Sequence, residues 1–123
     1  MKRCFRPLVC LVSAGLLQGC ATSAGEVTSV IESKPPVVEV VSTESTDNLV
    51  VCISRGLQKF DREVTLARRT GGATLIVGVM ESPQYVIDID EVDGKRRATM
   101  RRRTMLFQNA SEPIAEVLRT CAR

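Results

Sequence analysis

The chain lacks histidine and tryptophan, and it has one tyrosine and three phenylalanines in 123 residues. The missing histidine removes the commonest general base and the commonest metal ligand, so a Ser-His or Cys-His catalytic pair is excluded and a zinc site is disfavoured. The scarcity of aromatics means that any core is built from Val, Ile, Leu and Met. It also leaves no stacking platform for nucleic-acid bases. Nowhere is there an apolar run long enough to cross a bilayer as a helix. The longest candidate, "LVCLVSAGLL" at 8–17, has the length of a cleaved export segment.

What is present begins at that segment. "MKRCFRP" is positively charged, the apolar run follows, and Leu17-Gln18-Gly19-Cys20 closes it. An aliphatic residue three places before a cysteine and a small residue just before it resemble the lipobox of bacterial lipoproteins. The resemblance covers residues 1–21. It implies a signal peptide over 1–19, cleavage before Cys20, and lipidation of Cys20 with a thioether diacylglycerol and an N-terminal acyl chain. Three acyl chains exceed what stable anchoring needs. Ala21, where Asp often marks inner-membrane retention in this family, implies the outer membrane, with the domain facing the periplasm. The competing reading is an ordinary secretory signal cut near Thr22-Ser23-Ala24.

Charge is unevenly spread. Residues 21–47 are acidic, and residues 48–123 carry an excess of Lys and Arg, within a formal net charge of +3 for the whole chain. The stretch 20–47 is rich in Ser, Thr, Glu, Val and Pro, and Pro35-Pro36 breaks any continuous helix. It reads as the lipidated cysteine followed by a disordered tether, about 30 Å long on average. "PPVVEVV" within it is ambiguous between spacer and an added edge strand.

Residues 48–123 read as one small α+β domain. Thr46 or Asp47 caps a helix over about 47–60, with Val50, Ile53, Leu57 and Phe60 at helical spacing. Gly71-Gly72 and Asp93-Gly94 are two-residue hairpin turns, and Ser82-Pro83 is the turn between the hairpins. The first hairpin then pairs Val64 with Val79 and Leu66 with Val77. The second pairs Ile87 with Met100 and Ile89 with Ala98. Ser111 caps a last helix, with Pro113 in its first turn and Ile114, Val117, Leu118 and Cys121 as its apolar stripe. The expected order is α-β-β-β-β-α, a four-stranded antiparallel meander with both helices on one face in two layers.

Cys4 and Cys10 lie in the export segment. Cys52 and Cys121 lie on the two helices expected side by side, so an exported chain favours a Cys52–Cys121 disulfide over two buried thiols. The run 95–103, "KRRATMRRR", holds six basic residues. It reads as a charged edge strand that blocks aggregation, or as a site for an anionic glycolipid or cell-wall polymer. Lys95, Arg97, Arg101 and Arg103 share one strand face and, with Arg69 on the far edge, are the candidate contacts. Asp88 and Asp90 share a face, but no concave site is implied around them. No cofactor is expected. The function class that remains is a non-catalytic envelope accessory or binding subunit. Its expected partners are the membrane through the anchor and an envelope protein met by a sheet face or edge strand, with no nucleic acid.

Overall fold

The computed structural model describes residues 23–79, 82–103 and 108–123. Cys20 and the export segment lie outside the described residues. The elements are α1 (Ser23–Glu32), β1 (Val38–Ser42), α2 (Thr46–Gln58), β2 (Val64–Arg69), β3 (Gly72–Val79), β4 (Ser82–Val92), β5 (Lys95–Arg102) and α3 (Gln108–Cys121). The class is α+β. The sheet has five antiparallel strands in the order β1-β5-β4-β3-β2, not the four expected.

The fifth strand comes from the segment expected to be a tether. Val38, Val40 and Ser42 alternate inward along β1, and all five residues pair with β5 from Val38↔Met100 to Ser42↔Arg96. The valines that made "PPVVEVV" ambiguous are what the half-buried edge of a sheet selects. β5 is therefore an interior strand, and β1 takes the edge that the basic run was expected to occupy. Helix α1 is the second departure. Its sequence, SAGEVTSVIE, is rich in Ser and β-branched residues and has weak intrinsic helix propensity. Tertiary burial supports it instead: Ile31 is fully buried, and α1 packs on β4 and β5. Pro35-Pro36 follow its end, as a helix terminator should.

Alternation along the strands gives the sheet two unlike faces. One carries Val64, Ala73, Leu75, Val77, Tyr85, Ile87, Ile89, Ala98 and Met100, and α2 and α3 close over it. From α2 come Leu49, Val50, Ile53 and Leu57, and from α3 come Ile114, Ala115 and Leu118. The helices approach closely where Gly56 faces Val117; a methyl on Gly56 would lie 2.5 Å from a Val117 methyl. The other face carries Ile76 and Val86, paired across β3 and β4 on the α1 side, with Val41 and Val92, among polar and charged residues. The molecule thus has three layers where two were expected, because the added helix α1 lies opposite α2 and α3.

Helix ends differ from expectation in ways that matter below. Ser45 caps α2, its hydroxyl accepting from the Asn48 amide at 3.1 Å, while Asp47 sits in the first turn. The helix stops at Gln58, so Phe60 lies past its end and is 47% exposed instead of continuing the core stripe. Helix α3 starts at Gln108, which puts Pro113 inside it. The Ser111 side chain lies outside the described residues.

The second hairpin has the register read from its turn: Ile87↔Met100, Asp88↔Thr99, Ile89↔Ala98 and Asp90↔Arg97. Asp93 and Gly94 both have positive φ, 52° and 76°, as a two-residue turn of this hand requires. The first hairpin turns one residue earlier than expected, at Thr70-Gly71, and pairs Val64↔Val77 and Leu66↔Leu75. That moves each partner by two residues, so every side chain keeps its face. Ser82 and Pro83 are not a turn but the start of β4, paired with Val79 and Gly78.

Candidate functional site

Asp88 is the centre of the polar sheet face. It is only 15% exposed, and β4 holds it between β3 and β5. The Thr74 hydroxyl donates to its Oδ1 at 2.7 Å, and Arg101 Nη1 lies 3.5 Å from Oδ2. Arg69 reaches across β3 from the edge strand β2. Its Nε donates to Thr74 Oγ1 at 3.1 Å, its Nη1 lies 2.6 Å from Asp90 Oδ1, and its Nη2 is 3.6 Å from Asp88 and 3.3 Å from the Ile89 carbonyl oxygen. With the Ala73 carbonyl, which accepts from Nη2 at 3.4 Å, five groups fix the arginine over the sheet.

The candidate contacts of the basic run therefore meet different fates. Arg101 Nε donates to the Lys34 carbonyl at 3.0 Å, besides its ion pair with Asp88. Arg97 stands opposite Asp90 in the ladder but pairs with Glu39 of β1, at 3.0 Å. Arg96, on the helix-covered face, pairs with Glu91 at 3.1 Å. Lys95 is exposed and lines a hollow of about 380 Å³ at the end of the second hairpin, with Val41, Asp93 and Arg97. Arg103 is exposed, and its amide donates to the Gln84 carbonyl at 2.9 Å. Arg69, Arg97 and Arg101 are thus tied to acids of the same sheet, and the five do not converge on one opening.

This network supports a stability contrast. Asp88→Asn removes the charge between two partly buried guanidinium groups and is expected to destabilise by about 2 kcal/mol. Asp47→Asn breaks the Arg68–Asp47 pair at 2.6 Å, whose side chains are 59% and 75% exposed. That change is expected to cost under about 0.5 kcal/mol. Urea unfolding of both variants measures the difference; equal effects would remove Asp88 from its central role.

Sequence reasoning did not find the groove on the helical side of the molecule. The outer surfaces of α2 and α3 form an open groove of about 820 Å³. Its floor is the Cys52–Cys121 disulfide, with Sγ atoms 2.04 Å apart and Cα atoms 5.8 Å apart, as expected from the two helices. Val51 and Phe60, each 47% exposed, and Val117 supply its apolar wall. Arg55 on α2 and Lys59 at its C-cap form a basic rim, and Glu116 on α3 forms an acidic one. Glu116 is itself held by Arg119 at 3.4 Å. The Glu112 carboxylate, bonded to Arg119 at 2.6 Å, holds that guanidinium above its ordinary pKa, so the outer side of α3 is a charge-paired surface beside an apolar one.

Among the described residues no three of His, Cys, Asp and Glu come together as a metal-holding group. No helix of the described residues is long and apolar enough to cross a membrane. Comparison with protein-family models, with curated proteins and with solved structures finds no match.

Proposed function

We propose that this is an outer-membrane lipoprotein anchored through Cys20, a non-catalytic envelope subunit that binds a protein partner in the α2–α3 groove. The observation that carries the binding site is the exposed pair Val51 and Phe60 beside the disulfide, large apolar side chains left outside the core on either side of a helix end. Two helices side by side present a groove that suits a third. The fitting partner is an amphipathic helix that lays its apolar stripe against Val51, Phe60 and Val117. Its acidic residues face Arg55 and Lys59.

The alternative is an anionic glycolipid or cell-wall polymer bound by the basic strand 95–103. The internal pairing of Arg97 and Arg101 weighs against it, and so does the interior position of β5.

The test is crosslinked capture from intact envelopes with full-length, C-terminally tagged protein. Phe60→Asp is expected to lower recovery of one stoichiometric protein, in keeping with the loss of roughly 2 kcal/mol that follows removal of a central aromatic anchor. Arg101→Gln, Arg102→Gln and Arg103→Gln together are expected to leave that recovery unchanged. Glycolipid or cell-wall fragments lost in the triple variant, with no effect of Phe60→Asp, would replace this reading with the alternative.

A further inference from the structure

The absence of a long tether changes where the domain sits. Helix α1 begins at Ser23, so only Ala21 and Thr22 lie between it and Cys20. Three residue steps span at most about 11 Å when fully extended. A flexible chain of the length expected from the sequence would have held the domain about 30 Å away.

The helix is also fastened to the domain. Ile31 is fully buried, and α1 packs on β4 and β5. The Lys34 carbonyl just beyond its end accepts from Arg101 Nε at 3.0 Å, and the Val37 amide donates to the Met100 carbonyl at 2.7 Å. The chain is therefore pinned to β5 on its way out of α1.

We propose that the α1-bearing sheet face lies against the lipid surface, with the α2–α3 groove on the opposite, outward side. This rests on the lipidation of Cys20. The occupant is a bilayer surface, fixed by the length of chain between the acylated residue and the docked helix. The chemistry of the face agrees. Val30, 52% exposed, stands on α1 beside the buried Ile31. Lys34 follows the helix, and Lys95, exposed, stands on the same side of β5, suited to phosphate-bearing headgroups. Opposite this face, the partner groove opens away from the lipid without competing with it.

The experiment places a photoreactive benzophenone amino acid at Val30, or separately at Val51, in full-length protein made in its native envelope. Illumination is followed by mass measurement of phospholipid adducts, and the acyl mass on Cys20 is measured in the same samples. A severalfold higher adduct yield at Val30 than at Val51, with Cys20 acylated, is the expected result. A flexible Gly-Ser insert of about 20 residues between Thr22 and Ser23 is expected to bring the Val30 yield down to that of Val51. Equal yields with acylated Cys20 would overturn the apposition and leave the anchor standing. An unacylated Cys20 would overturn the anchor and the apposition with it. Both probe positions are exposed, and protease resistance of the illuminated domain confirms that it is folded.

Discussion

Breaking the Cys52–Cys121 bond is expected to lower the stability of the domain by about 4 kcal/mol, the value the chain-entropy model gives for a closed loop of this size. The two cysteines are 69 residues apart, and the loop between them holds α2 after Cys52, strands β2 to β5 and nearly all of α3. Reduction therefore frees almost the whole domain in the unfolded state. A native stability of roughly 5–15 kcal/mol is usual, and a small domain with an aliphatic core sits toward the lower end. The loss is therefore a large part of the total. Urea unfolding with and without reductant measures it, and the midpoint is expected to fall by about 2–3 M. The variant carrying Cys52→Ala and Cys121→Ala should agree to within about 1 kcal/mol, since Cys121 is 8% exposed and its truncation leaves only a small void. An unchanged midpoint would show that the reduced domain is held by its core alone. Because the disulfide floors the groove, Phe60-dependent partner capture is expected to weaken under the same reducing conditions.

The parts of this fold that could be read in advance are those fixed by local chemistry. Asp93-Gly94 sets the β4–β5 register because both turn residues must take positive φ, and the cross-strand pairs then follow by counting. Gly71-Gly72 is ambiguous for a reason visible only in three dimensions. Two neighbouring glycines offer two turn positions, and the choice depends on β4, which is distant in sequence. The same holds for β1. Five residues with alternating valines pair with whatever edge is available, and the acidic, Pro-containing surroundings give no hint that β5 provides one. Helix α1 was illegible because its residues disfavour a helix until Ile31 is buried. At the candidate site, the neutralisation of the basic strand by Asp88 could be anticipated from register. The reach of Arg69 across β3 could not, since it needs two hairpins stacked edge to edge. The groove escaped notice because Phe60 has core spacing in the sequence and becomes a surface residue only when α2 stops at Gln58.

The two adjacent glycines of the first hairpin are expected to respond very differently to the same added methyl group. Gly71 lies in the turn with φ of 79°, and nothing stands within 4 Å of where a Cβ would be. Gly71→Ala should cost only the left-handed backbone penalty, about 1 kcal/mol, and Gly71→Asn should recover part of it. Gly72 is already in β3. A Cβ there would come 2.0 Å from the Ile89 carbonyl oxygen and 3.3 Å from Arg69 Nη1. The carbonyl belongs to the neighbouring strand, so relief requires β3 and β4 to part at this end. Overpacking of this kind costs about 3 kcal/mol. The Arg69 guanidinium that reaches Asp90 and the Ile89 carbonyl lies beside the same position. Gly72→Ala should therefore release Arg69 as well as strain the ladder. The double variant Gly72→Ala with Arg69→Ala separates the two effects. If the methyl acts mainly by expelling the guanidinium, the double variant is no less stable than Gly72→Ala alone. If the backbone clash dominates, removing Arg69 adds a further loss. Urea midpoints for the three variants decide between them. A Gly72→Ala protein as stable as Gly71→Ala would mean that β3 and β4 part at no cost, and that the Arg69–Asp90 contact does not fasten the edge strand to the sheet.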